Sequence, residues 1–485
     1  MYVGIELEIP MIALGTGCAM RALAAVVLEE IKSIAPTVPD TNNGVWTIEG
    51  WYHLDGSYLE FSSRECRSPQ ELAYVVERAV RIVAAAIARV EQARNIKLFA
   101  QTGTCDYNGA GWGCHLNLSL PVDLDIGDLR PLLSLLVTIP VVAGTGGFED
   151  PDGHEFVIAA RMTGIVCDVL SNPKLAILHN RSEPLSSDAN RLHLGCLSYA
   201  QSQKTRLLSI GVPAIGLLLI ELGLAPNLSL SDPVDSLQAV IRDERCGTRL
   251  GLDGREMTAL EIQRRWLIAA QEHVDLLPDW VTAVCVLWDE ALTALENGDS
   301  AVVGWLEWRA KSHVYRAYCQ TQGVPWSLMR EMSTLTRLTS RIAPGTKLGS
   351  LLENPLVRSF VKSVLAPRGK ALEDFESWIR CKQALLEADV RWSQVGAGSL
   401  FRSLEDAGIL NHRIFSEAEI ADSSTFNPSG RAAARAELIH RYARTGADVD
   451  MDWMTVRHGD LTQELSCVAL DYDIDTLLDP AKGEE

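Results

Sequence analysis

Gly4-Ile5-Glu6-Leu7-Glu8, read together with Leu54-Asp55-Gly56-Ser57-Tyr58-Leu59-Glu60-Phe61 further along, decides how this chain is organised. On an extended strand, alternate residues leave the same face, so Glu6 and Glu8 project together while Ile5, Leu7 and Ile9 form the opposite face and want a core. Two carboxylates placed this way repel each other unless a cation lies between them. A solvated edge strand is the competing reading of a single E-x-E, because Glu is usually exposed. Company tips the balance towards metal. A second stretch carries Asp55 and Glu60, and a third, Cys114-His115-Leu116-Asn117-Leu118-Ser119-Leu120, alternates so that His115, Asn117 and Ser119 share a face. Asp55 and Glu60 are five positions apart and would face oppositely on one regular strand, so a bulge at Gly56 is expected to make them converge.

The chain has 485 residues, enough for two or three domains with a substantial core. With 47% hydrophobic and 22% charged residues it has the composition of a compact globular protein. A formal net charge of -19 argues against a general nucleic-acid or anionic-membrane surface, which needs clustered Lys and Arg. Eleven cysteines are scattered without a C-x-x-C pair and no secretory h-region opens the chain, so reduced cytoplasmic thiols are expected, with neither disulfide nor zinc. The apolar run LLSIGVPAIGLLLIELGL at 207–224 is long enough to cross a membrane, but Pro213, the glycines and Glu221 favour a buried helix.

Apolar spacing predicts a helix over 20–34, then a hairpin of Val45-Trp46-Thr47-Ile48 with Tyr52-His53-Leu54-Asp55, turning at Glu49-Gly50-Trp51. Ser68-Pro69-Gln70-Glu71 reads as a capping box opening a helix to about residue 93. A short strand at 97–100 and a glycine-rich loop over 103–113 precede the His115 strand. Helical or mixed segments are expected over 129–142 and 155–170, and beyond Arg206 the chain is mostly helical. A late helix carries Arg431, Arg435, Arg441 and Arg444, followed by a strand over 451–456. The expected division is a catalytic domain at 1–322, a helical insertion and linker at 323–410, and a small C-terminal domain at 411–485.

Strands bearing E-x-E, D-x-x-x-x-E and H-x-N suit a funnel in which hard oxygen ligands hold Mg2+ against ATP phosphates. Arg161, Arg181 and Arg191 are candidate guanidiniums for the transferred charge.

The order of these motifs resembles that of the Pup ligase and Pup deamidase (depupylase) family of carboxylate-amine ligases. GIELE resembles its G-x-E-x-E strand, LDGSYLEFSSREC its aspartate followed by P-E-Y-x-x-x-E-C, and Asp106 through Gly113-Cys114-His115-Leu116-Asn117 its glycine-rich loop and G-C-H-E-N strand. HNRSEPLSSDANRLHL at 179–194 is similar to N-T-R-D-E-P-H-A-D...R-R-L-H, the most specific match, and the Arg431 helix with Asp452-Trp453 resembles the family's small C-terminal domain. Residues 327–388 read as extra helical material.

The resemblance implies an α+β fold: a glutamine-synthetase-like curved antiparallel sheet flanked by helices. It implies ATP-dependent activation of a glutamate side-chain carboxylate to an acyl phosphate, followed by attack of an amine. Glu6, Glu8 and Glu60 would be Mg2+ ligands, with His115 beside metal and phosphates. Asn117, Arg161, Arg181, Arg191 and His193 would belong to the nucleotide environment, and Asp55 would be the catalytic carboxylate. The short connection between the E-x-E strand and the hairpin favours the ligase branch. A glutamate-bearing peptide or Pup-like protein would be acyl donor, with a lysine or other amine as acceptor. Pup is very acidic and this chain is too, so another peptide or a small glutamyl substrate is a competing donor. An amide or isopeptide hydrolase of the same family and a nucleotide-binding pseudoenzyme are the competing functions, the latter because Leu116 and Ile139 stand where the family has Glu and Arg.

Overall fold

A computed structural model describes residues 1–15, 17–40, 44–103, 112–120, 127–149, 155–170, 176–179, 190–443, 445, 449–459 and 461–465. Its centre is a nine-stranded sheet. In chain order the strands are β1 (Val3–Ile9), β2 (Val38–Pro39), β3 (Val45–Thr47), β4 (Gly50–Asp55), β5 (Tyr58–Ser63), β6 (Cys114–Leu120), β7 (Cys167–Leu170), β8 (Ala176–His179) and β9 (Asn190–Leu194). Across the sheet they run β7-β8-β9-β6-β1-β5-β4-β3-β2, so the E-x-E strand is the middle one. Only β7 and β8 pair in parallel; every other neighbour is antiparallel.

The alternation read in β1 sets the two faces. Val3, Ile5, Leu7 and Ile9 are buried at 5% exposure or less, and they pack under α1 (Met20–Ile34) and α2 (Pro69–Arg94). Burying four such side chains stabilises the sheet by roughly 6–12 kcal/mol before chain entropy is counted. Ser68 caps α2 by accepting the Glu71 N–H, but the expected reciprocal bond does not form. The Glu71 carboxylate instead takes the Arg67 N–H and the Arg64 guanidinium, a charged partner outcompeting the cap.

Other expectations shift where turn chemistry intervenes. The β3–β4 turn falls at Ile48-Glu49, because Thr47 and Gly50 already pair across the hairpin. The helix expected over 129–142 is α3 (Leu132–Thr138) followed by a separate turn from Pro140, which has no N–H to continue the ladder. Residues 155–170 hold short strands around a 3-10 turn. The apolar run lies in α4 (Gln203–Glu221), the one helix among the described residues long and apolar enough to cross a membrane, and 83% of its most apolar window is buried inside the fold.

Four more helices, α5 (Glu307–Thr321), α6 (Leu328–Ile342), α7 (Pro355–Leu365) and α8 (Leu372–Trp392), share their own core with Phe148 and Phe156. Finally α9 (Arg431–Tyr442) and a three-stranded sheet of β10 (Val449–Met451), β11 (Thr455–His458) and β12 (Leu461–Glu464) pack against Val38 and Trp46 at one edge of the large sheet. The single strand expected over 451–456 is therefore two. Asp452 makes the turn between them, its carboxylate accepting the N–H groups of Met454 (2.8 Å) and Thr455 (2.7 Å).

Candidate active site

Strand register brings the predicted carboxylates onto one face. Glu8 stands directly opposite Glu60 across β1 and β5, and Glu6 stands opposite Ser62 on one side and His115 of β6 on the other. Beyond β6, His193 pairs with Asn117 and Arg191 with Ser119. Asp55 and Glu60 converge without a bulge. A two-residue turn at Gly56-Ser57 makes them members of different strands, Asp55 opposite Tyr58 and His53 opposite Glu60. Gly56 takes φ +53°, which suits the first position of a type II′ hairpin turn and which other residues rarely adopt. The spacing that looked discordant on one strand is what a hairpin requires.

The side chains close into a network around a cavity of about 480 Å³. Glu6 accepts from Arg191 Nη1 at 3.0 Å and Asn117 Nδ2 at 3.2 Å, with His115 Nδ1 at 3.2 Å from its other oxygen. His193 Nδ1 lies 2.9 Å from Asn117 Oδ1. Burial pushes the Glu6 carboxyl up, but the His115 hydrogen bond and the neighbouring His193 and Arg191 outweigh it and hold it at about 2. The Tyr58 hydroxyl sits 2.6 Å from Asp55 Oδ2 and 3.2 Å from Glu8 Oε1; burial, then Asp55 and Glu8, keep that hydroxyl protonated far above its ordinary range. Burial pulls the His53 imidazole down to about 4 against the opposing pull of Asp55 and Glu6, so it is neutral at pH 7. Glu6, His115 and His193 present ligand atoms within 4.8 Å of one another.

Gly113 completes the rim. Its N–H donates to Glu8, and a Cβ there would lie 2.5 Å from His115 Nε2 and 2.9 Å from Glu8 Oε1. Any side chain would therefore fill the space between an imidazole nitrogen and a carboxylate.

Several wall residues were not singled out from sequence. His53 and Ser62 share strand faces with Asp55 and Glu60, so a period-2 reading of the hairpin finds them, and Tyr58 stands beside them on the Glu60 face. Arg431, Trp453 and Met454 arrive from the C-terminal unit, which no local pattern announces. Trp51 stacks on His53 with ring centroids 3.6 Å apart, and Trp453 meets Trp51 edge-on at 6.3 Å. Arg161, expected in the nucleotide environment, is not among the residues lining this cavity; its Nη1 and Nε donate to the carbonyls of Trp112 (2.9 Å) and Gly195 (3.2 Å), and its buried Nη2 meets no partner among the described residues. Arg181, Asp106 and most of 179–194 lie outside the described residues.

In sequence, the chain is 28% identical over 293 residues to a depupylase of Acidothermus cellulolyticus, covering 57% of this chain and 58% of that protein. It is 30% identical over 298 residues to a Pup–protein ligase of Xylanimonas cellulosilytica, covering 56% and 64%. It is also 30% identical over 301 residues to a Pup deamidase/depupylase of Mycobacterium tuberculosis, covering 57% and 58%. The chain thus spans 58–64% of the length of these curated relatives. In fold, it matches the ligase PafA solved in complex with the prokaryotic ubiquitin-like protein Pup at a TM-score of 0.74 and 19% identity, covering 99% of this chain and 92% of that one. PafA solved in complex with ADP matches at 0.70 and 19%, covering 91% and 90%. These matches bear out the α+β, glutamine-synthetase-like expectation for the fold. A family model described as Pup-ligase protein matches residues 22–363, which carries the pattern into the helices read above as extra material. With most of its length matched in this way, the chain belongs to the Pup-ligase family.

Proposed function

We propose that this protein is an ATP-dependent carboxylate-amine ligase of the Pup-ligase type, joining a glutamate side-chain carboxylate to an amine. The observation that carries the reading is the Glu8–Glu60 pair. Like charges directly opposite on a sheet are destabilising, and here they sit in a cavity beside Glu6 and Asp55. A divalent cation removes that cost. The donor set suits Mg2+: carboxylate oxygens from Glu6, Glu8 and Glu60, a buried His115 Nε2 that no hydrogen bond among the described residues uses, and a Gly113 that leaves the space open. When bound, Mg2+ with ATP supplies the phosphoryl group and neutralises charge on it.

The chain's residues do the rest. Glu6, Glu8 and Glu60 hold the cation, and Arg191, Asn117 and His193 on the flanking strands face the phosphates. Asp55, at the end of β4, takes the proton that an attacking lysine ammonium must lose. Its Oδ2 is engaged by the Tyr58 hydroxyl at 2.6 Å, and Oδ1 is the oxygen that would take that proton. Residues 1–322 would form the catalytic part, 323–410 the helical unit, and 411–485 the unit that closes the cavity with Arg431, Trp453 and Met454. The acceptor would be a lysine, and the donor a Pup-like protein or a glutamate-ending peptide.

The experiment is turnover of the full chain with Mg-ATP, a lysine acceptor, and either Pup or a set of glutamate-ending peptides. ADP should be released in step with the new amide bond. Asp55→Asn should abolish amide formation while leaving ATP binding intact; retained turnover in that variant removes Asp55 from the chemistry. Cleavage of an amide or isopeptide without ADP release would instead favour the hydrolase reading, which the depupylase relative keeps in play.

A further inference from the structure

Outside the cavity lining, α5 and α8 run antiparallel and are joined along a buried polar seam. At one end Trp392 Nε1 donates to Glu307 Oε1 at 3.1 Å. In the middle Asp389 Oδ1 accepts from Lys311 Nζ at 2.9 Å and from Tyr315 Oη at 2.8 Å. At the far end the partners are two thiols, Cys319 and Cys381, with sulfurs 3.4 Å apart. Both are buried, at 0% and 2% exposure. Their separation of 62 residues hides the pair from any reading of cysteine spacing, and the expectation of no disulfide rested on that reading.

We propose that Cys319 and Cys381 form a reversible disulfide that locks the helical unit of residues 328–392 onto α5 under peroxide. The sulfurs need to close by a little over an ångström to reach bonding distance, which side-chain rotation and small helix shifts supply. Access comes from the end of α5. Cys319 lies in its last turn, flanked by the exposed Tyr318 and Gln320, and Thr321, Gln322 and Gly323 beyond are exposed too, so fraying of that turn uncovers the thiol. The pair also favours one thiolate: the Cys319 hydrogen bond lowers the Cys381 thiol against the push of burial, and the Lys382 ammonium adds to that.

The chemistry balances with hydrogen peroxide as oxidant. One thiolate attacks the O–O bond, gains an oxygen as sulfenic acid, and releases hydroxide, which leaves as water. The second thiolate then attacks that sulfur, the S–O bond breaks, and the oxygen departs as a second water. Two thiols and one peroxide give one disulfide and two waters, the sulfurs oxidised and the peroxide reduced. Thiol reductants reverse it by exchange.

The test uses the full chain, treated with a small excess of hydrogen peroxide, denatured, alkylated and digested. The expected result is a peptide linking Cys319 to Cys381 that disappears after dithiothreitol, together with a melting temperature raised by several degrees in the oxidised form, because the bond closes a long loop. Cys319→Ser should remove both the linked peptide and the melting shift. If both cysteines are recovered alkylated while the exposed Cys18 is oxidised, the proposal is overturned. The peptide map on the unmodified sequence decides the matter even if a serine variant folds poorly.

Discussion

Two carboxylate neighbourhoods in this molecule are built on opposite charge balances. On α2, Glu77 is 2% exposed and is held by Arg206 (3.1 Å), Arg402 (2.6 Å) and Arg81 (3.1 Å), so one anion meets three cations. On the sheet, the cavity wall carries Glu6, Glu8, Asp55, Glu60 and Glu65 against two guanidiniums, Arg191 and Arg431, and Glu65 already binds Arg431 and Arg435. Glu77 and Glu8 are buried and Glu6 and Glu60 are largely so, where unbalanced charge is expensive, while Asp55 is exposed. The first neighbourhood is complete as folded. Among the described residues, the second carries more carboxylates than guanidiniums around its cavity, a balance that suits the cation proposed for it.

The strongest way to break the comparison is to neutralise Glu77. Glu77→Gln leaves three guanidiniums around a neutral amide and should cost about 3 kcal/mol or more of stability, read from chemical denaturation. The pH dependence follows from the same group. Burial pushes the Glu77 carboxyl up, but Arg206, Arg402 and Arg81 outweigh it and lower it from 4.5 to about 2. A lowered carboxyl contributes stability that is fully present above pH 4.5 and is lost as pH falls towards about 2. The acid limb over that window should be shallower in Glu77→Gln. An unchanged limb would mean that the cluster does not govern acid unfolding.

Glu8→Gln tests the other side, with the opposite sign expected. In metal-free protein it removes one of two carboxylates that face each other, so stability should stay level or rise slightly. The stabilisation that Mg2+ gives the unaltered protein should be lost, and turnover should fall by about 100-fold or more, about 2.7 kcal/mol. Thermal melts with and without Mg2+ separate these effects. A metal-free Glu8→Gln protein destabilised as strongly as Glu77→Gln would collapse the distinction between the two neighbourhoods.

The difference also explains what could be read from the sequence. Glu6, Glu8, His115 and Asn117 announce themselves because strand alternation is local, and their convergence follows once three strands pair. His53 and Tyr58 carry the same period-2 signal, but taking Leu54 to Phe61 as one strand concealed it, and the Gly56-Ser57 turn was mistaken for a bulge. By contrast, Glu77 meets Arg402 across 325 positions and Glu65 meets Arg431 across 366. Such pairs depend on how whole units dock, and every Glu and Arg in the chain is an equal candidate until they have. The contribution of Trp453 and Met454 to the cavity is hidden for the same reason. Arg161 shows the converse: chain order alone does not reveal that two of its guanidinium nitrogens donate to backbone carbonyls.

The finest distinction lies within the site, between carboxylates that would hold the cation and the one that would take the proton. Glu8 and Glu60 face each other across strands, whereas Asp55 sits at a hairpin end with one oxygen engaged by the Tyr58 hydroxyl at 2.6 Å. Removing that hydroxyl leaves the aromatic ring in place against Trp112 and takes away one hydrogen bond to a charged acceptor, about 1.5 kcal/mol. Tyr58→Phe should therefore lower kcat about tenfold. The KM for ATP and the Mg2+-dependent melting shift should hold, because the hydroxyl's shorter bond is to Asp55 (2.6 Å) and Glu8, at 3.2 Å, is its lesser partner. If instead KM for ATP rises and kcat holds, Tyr58 serves the Glu8 side of the cavity, and the separation of metal-holding from proton-accepting carboxylates is drawn in the wrong place.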